Sequence, residues 1–131
     1  MRRDENRHPS WEKLLAFNYV DYDFVLLMDL DIVPVPNAPP IHPELAEDKL
    51  NLVPLRPGPV ARGRLRRLGY PVEKMKWNTG LVGVPRSLSH VLEDVYDNYK
   101  LEKQVWMEQG PLNLSICDRD VAVNEIPGEW N

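Results

Sequence analysis

Asp29 and Asp31 close an apolar run, Asp23-Phe24-Val25-Leu26-Leu27-Met28-Asp29-Leu30-Asp31-Ile32-Val33. Ionised carboxylates are costly to bury unless a cation or partner compensates them. In an extended chain, residues two apart point to the same side. The spacing therefore predicts that Asp29 and Asp31 aim at one point while Leu30 turns into the core. Two hard oxygen ligands at a strand end suit Mg²⁺ or Mn²⁺, ions that commonly hold phosphates. The competing reading is a strand that runs out into a solvated acidic turn. Asn78-Thr79-Gly80 interrupts a second apolar strand and reads, from its residues alone, as a β-bulge or turn. Glu108 and Gln109 open a helix, where an acidic residue favours the helix dipole. Asn113, four residues after Gln109, falls on the same helical face. Arg56, Arg62, Arg64, Arg66 and Arg67 make a basic segment. It reads either as a cover for phosphates or an acidic acceptor, or as an exposed loop or short helix with solvated arginines.

The elements that must position these residues follow from periodicity and punctuation. Ser10 caps a helix running through Tyr19, with Trp11, Leu14, Leu15 and Asn18 on one face. Residues 24 to 28 read as a central strand. Pro34, Pro36, Pro39, Pro40 and Pro43 forbid regular structure, and Glu44 to Asp48 allows one helical turn. Leu50 to Leu55 reads as a short strand, with Pro54 pushing it toward an edge or an early stop. Trp77 to Val84 is a strand stopped by Pro85. Ser87 to Lys100 is a helix with Leu88, Val91, Leu92, Val95 and Tyr99 on one face. A further helix spans Met107 to Cys117, and Asp120 to Ile126 closes as a strand. Strands alternating with helices predict an α/β sandwich, whose ligands sit beyond the carboxyl ends of strands.

At 131 residues the chain is one domain, 1–131. A net charge of -4 gives no reason to expect nucleic-acid binding. No apolar run is long enough to span a bilayer, and the charged start Met1 to His8 has no signal-like apolar core after it. The single cysteine, Cys117, excludes an internal disulfide and suits a reducing, cytoplasmic setting. Its apolar helical context reads as a buried structural thiol.

Three further segments follow the acidic pair in a recognisable order: Trp77-Asn78-Thr79-Gly80-Leu81-Val82-Gly83-Val84, Met107-Glu108-Gln109-Gly110-Pro111-Leu112-Asn113, and Ile126-Pro127-Gly128-Glu129-Trp130-Asn131. Together they resemble the GT-A glycosyltransferases that use nucleotide-diphosphate sugars, in particular the glycogenin and bacterial galactosyltransferase type. The resemblance runs over roughly residues 10 to 131. It implies a partial GT-A, Rossmann-like mixed sheet flanked by helices, and transfer of a hexose from a nucleotide-diphosphate sugar donor to a hydroxyl acceptor. Asp29 and Asp31 would hold Mn²⁺ or Mg²⁺ against the diphosphate. Asn78 would hydrogen-bond the donor sugar, since a carboxamide both donates and accepts. Thr79 and Gly80 would let backbone approach the substrate. Glu108 would bind sugar hydroxyls or orient the acceptor, or act as base toward its hydroxyl. Gln109 would lie near the anomeric carbon, and Asn113 would share its face. Trp130-Asn131 would be a packing and hydrogen-bond element.

The family pattern begins with a nucleotide-binding βαβ region well before D-x-D, and too few residues precede Asp29 to form one. It also places a third metal ligand, a His, shortly after W-N, a position that His8, His42 and His90 all precede. The expectation is a catalytic middle, truncated at both ends. A missing half would expose a sheet edge and make self-association plausible. Two rivals stand beside this reading. One is a non-catalytic module that binds a sugar nucleotide or a partner. The other is a haloacid-dehalogenase-like phosphohydrolase, with Asp29 as nucleophile and Lys74 or Lys76 and Asp118/Asp120 as nominal partners.

Overall fold

The structure, a computed structural model, describes residues 9–99 and 108–130. Four apolar segments pair into one mixed sheet: β1 (Phe24–Met28), β2 (Leu50–Pro54), β3 (Trp77–Pro85) and β4 (Val123–Glu125), in the order β1-β3-β2-β4. β3 runs antiparallel to both β1 and β2, and β4 runs parallel to β2. The carboxyl ends of β1, β2 and β4 and the start of β3 therefore share one edge.

Alternation along the strands sends Leu50, Leu52, Val82 and Val84 into the main core. There they meet Trp11, Leu14 and Leu15 of a 3-10 helix, Pro9–Asn18. They also meet Val91, Leu92, Val95 and Tyr96 of α2 (Ser89–Asn98) and Leu112 and Ile116 of α3 (Gln109–Asp118). Trp11 and Tyr96 pack edge to face at 6.5 Å. Val53, Leu81 and Ile126 form a smaller cluster, covered by Ile32, Ile41, Leu45 and Trp130. The helices of the main core thus lie on one face, and loop residues cover the other. This is a mixed α/β fold with a four-stranded mixed sheet, the class that the alternating strands and helices predicted.

One strand changes place relative to the sequence reading. β1, expected to be central, is an edge strand among the described residues. Val25 and Leu27 pack on the core, while Leu26 and Met28 are exposed above a groove of about 620 Å³. β2, for which Pro54 predicted an edge position or an early stop, lies between β3 and β4 and stops at Pro54. Its Asn51, fully buried, exchanges hydrogen bonds with Ala46 and accepts one from Asn124. A Cβ on Gly83 would stand 2.9 Å from the Asn51 Cβ, so only glycine lets the strands close there.

The remaining boundaries shift modestly. The helical turn expected at Glu44–Asp48 is a 3-10 turn at His42–Glu44. The basic segment forms a helix, α1 (Pro59–Arg67), opened by Pro59 and followed by Gly69 at φ 79°. The termini expected at Lys100 and Met107, and Asn131 with them, lie outside the described residues. No helix among the described residues is long and apolar enough to cross a membrane.

Candidate functional site

The shared edge gathers the sequence motifs. β1 stops at Met28 because the chain turns: Ile32 N–H donates to the Asp29 carbonyl at 3.2 Å, with Leu30 and Asp31 inside the turn. The backbone is not extended here, so the two-residue alternation does not hold. Leu30, expected in the core, is fully exposed, and Asp31 is exposed beside it. Asp29 alone stays on the sheet, its N–H donating to the Gly80 carbonyl at 2.8 Å.

Asp29 is compensated by a residue that the sequence reading missed. Lys13, on the 3-10 helix, reaches Asp29 Oδ1 at 2.7 Å, the Thr79 carbonyl at 2.7 Å and Glu108 Oε1 at 2.5 Å. Two of the three ammonium N–H groups donate, to Asp29 and to the Thr79 carbonyl, and Glu108 adds an ion pair. The Lys13 side chain is 13% exposed and that of Glu108 5%. The cation thus sits between two carboxylates supplied by distant parts of the chain. A signal existed only in outline: Lys13 neighbours the buried stripe Trp11, Leu14 and Leu15, and a lysine so placed must carry its ammonium to a partner.

The N-T-G segment is indeed irregular. One step on β2, Leu52 to Val53, faces the span from Val82 to Asn78 on β3, leaving Thr79, Gly80 and Leu81 without β2 partners. α3 fills that gap. Gln109 Oε1 accepts from Thr79 N–H at 3.1 Å, and the Thr79 hydroxyl donates to Glu108 Oε1 at 3.2 Å. Asn78 Oδ1 accepts from Gly80 N–H at 2.6 Å. Thr79 and Gly80 are buried and their backbone groups engaged, so they do not offer backbone to a substrate as expected. Asn113 is likewise fully buried. Its Oδ1 accepts from Lys76 and Trp77 N–H, and its Nδ2 donates to the Trp77 and Gln109 carbonyls, all at 2.8 Å. That side chain clamps the start of β3 and leaves no capacity for a sugar hydroxyl. Gly110 lets Tyr70 lie over the start of α3, since a Cβ there would be 2.6 Å from its ring.

Two amide groups stay open. Asn78 Nδ2 and Gln109 Nε2 have no partner among the described residues, and both side chains are half-buried. Asp31 carries a free, exposed carboxylate.

The donor set does not fit a divalent ion held by the acidic pair. Asp29 is paired with Lys13, and Asp31 lies out in the turn. The phosphohydrolase set does not assemble either. Among the described residues Lys74 pairs with Asp118 at the surface, and the lysine paired with Asp29 is Lys13 rather than Lys74 or Lys76. Cys117 is half-buried, with its thiol directed at the Lys74 carbonyl at 3.5 Å. Compared with protein-family models, with curated proteins and with solved structures, the chain matches none.

Proposed function

We propose that this edge binds a nucleotide-diphosphate sugar and serves hexosyl transfer to a hydroxyl acceptor, the reading in which the Asp29, Asn78, Glu108 and Gln109 motifs share one role. One observation carries it. Segments far apart in sequence meet in a single network, Asp29–Lys13–Glu108–Thr79–Gln109, at the carboxyl ends of the strands, where α/β sheets place ligands. In such a transfer the bond from the anomeric carbon to the diphosphate breaks, a bond to the acceptor oxygen forms, and the acceptor proton leaves. The roles open to this chain are binding and orientation. The Asn78 and Gln109 amides donate to sugar oxygens, and Lys13 holds Glu108 and Thr79 so that Gln109 keeps its place. Glu108 is turned inward by Lys13 and Thr79, which removes it from the role of base.

The same ion pair favours a second reading. Neutralising Asp29 and Glu108 together leaves the edge without a reactive carboxylate in its interior, as a module that binds without transfer requires.

Isothermal titration of UDP-glucose, UDP-galactose and GDP-mannose, with EDTA or with Mn²⁺, tests both. The expected result is saturable binding of one donor, weakened about tenfold by Asn78→Ala or Gln109→Ala and little changed by EDTA. Donor turnover distinguishes transferase from module. A wild-type chain that binds no donor, or variants that bind as tightly as wild type, would overturn the proposal.

A further inference from the structure

A second concavity of about 480 Å³ opens beside the start of β3, between the end of β2, the approach to α1 and β4. Arg56, Arg62, Lys76, Trp77, Glu73 and Glu125 line it. The charge is segregated: residues 56 to 68 hold five arginines and no acidic residue in a chain of net charge -4. Arg62 Nε donates to the Pro57 carbonyl at 2.9 Å, which fixes its guanidinium over the loop. Arg56, Arg62 and Lys76 form no ion pair among the described residues, although Glu73 and Glu125 line the same space. Unpaired cations beside available carboxylates are poised for an external anion. The floor is rigid. Asn113 holds the Lys76 and Trp77 N–H groups, and Leu55 N–H donates to the Lys76 carbonyl at 2.7 Å.

The lining has two chemistries. Three cations suit an oxyanion, while Trp77 beside two carboxylates suits the apolar face and hydroxyl edge of a sugar ring. We propose that this pocket binds an anionic monosaccharide unit, its phosphate or carboxylate on Arg56, Arg62 and Lys76 and its ring against Trp77. The site stands apart from the donor reading, because neither Asn78 nor Gln109 lines it.

The test is an NMR titration with glucose 6-phosphate, glucuronate, glucose and inorganic phosphate, on wild type and on Arg56→Gln/Arg62→Gln. Both arginines are exposed, so the variant keeps the fold, as its amide spectrum will show. The expected result is saturable shifts at Trp77 with glucose 6-phosphate or glucuronate, at least about tenfold tighter than with glucose and lost about tenfold in the variant. Whichever anion binds identifies the group. Equal binding of neutral glucose, inorganic phosphate binding as well as the sugar phosphates, unchanged affinity in the variant, or no saturation with any probe would each overturn the inference.

Discussion

Lys13→Met removes the cation at the centre of the edge and isolates Glu108. In the wild type, Glu108 Oε1 forms an ion pair with Lys13 Nζ at 2.5 Å and accepts from the Thr79 hydroxyl at 3.2 Å, with its side chain 5% exposed. The methionine keeps most of the alkyl stem and its packing, so the change isolates charge and hydrogen bonding. It leaves a buried carboxylate with one neutral donor, and breaking a buried pair from one side costs about 3–5 kcal/mol. Asp29, 41% exposed, regains water and adds little. Against a total stability of about 5–15 kcal/mol, that loss lowers the melting temperature by about 10–20 °C. Glu108→Gln alone keeps an acceptor for Thr79 and for Lys13, and costs about 1–2 kcal/mol. Denaturant unfolding of both single variants and the double variant closes the cycle. The double variant should be less destabilised than the sum of the singles by about 1 kcal/mol or more. A single Lys13→Met cost below about 1 kcal/mol, or a cycle that is simply additive, would refute the claim that this ammonium neutralises Glu108.

Asn113→Ala leaves the Lys76 and Trp77 N–H groups without their acceptor and should cost about 3 kcal/mol or more in denaturant unfolding. Asn113→Asp should not recover the loss, because its second oxygen cannot donate to the Trp77 and Gln109 carbonyls that Asn113 Nδ2 holds in this fully buried position. Gly110→Ala drives a methyl into the Tyr70 ring, a clash against the ring body that costs about 1–3 kcal/mol by the same measurement; Tyr70→Ala in the same chain should relieve it. Lys74 has its pKa raised by the hydrogen bond and charge of Asp118, so the pair stabilises the fold fully below the ordinary lysine value of 10.5 and loses that contribution as pH rises through the higher folded value. Melting temperatures of wild type and Lys74→Met should therefore converge in strong alkali and differ at lower pH.

The elements were legible where apolar periodicity is strong. The stripe Leu88, Val91, Leu92, Val95 and Tyr99 marked α2, and the runs at 24 to 28 and Trp77 to Val84 marked β1 and β3. Their arrangement was not. A five-residue apolar run reads the same whether both its faces are covered or one overlooks a groove, so nothing in Phe24–Met28 distinguishes an edge from a central position. The extended backbone expected through the acidic pair gives way to a turn for a local reason. The turn closes through the Asp29 carbonyl and Ile32 N–H, the acidic turn that stood as the competing reading, with Asp, itself a turn-favouring residue, at two of its four positions. Asn113 carried a true signal with a different meaning: its spacing from Gln109 put it on the inner face, where its amide binds backbone. Lys13 carried almost none, because an ion pair with Asp29 and Glu108 exists only after β1, β3 and α3 have been brought together.

The clamp at Asn113 links the two proposed sites while their side chains remain separate. Trp77 and Asn78 are successive residues of a strand, and successive side chains leave opposite faces. A ligand packed on Trp77 therefore has no direct contact with one held by Asn78, and the two sites should titrate independently. Asn113 grips the Trp77 N–H and carbonyl and the Gln109 carbonyl at once, so it fixes the floor of the basic pocket and the first turn of α3 together. Loosening that one side chain disturbs both sites, whereas Arg56→Gln/Arg62→Gln reaches only the pocket and Gln109→Ala only the edge. If either of these surface changes moved affinity at the other site, the sites would share a ligand, and the alternation of β3 would not be what separates them.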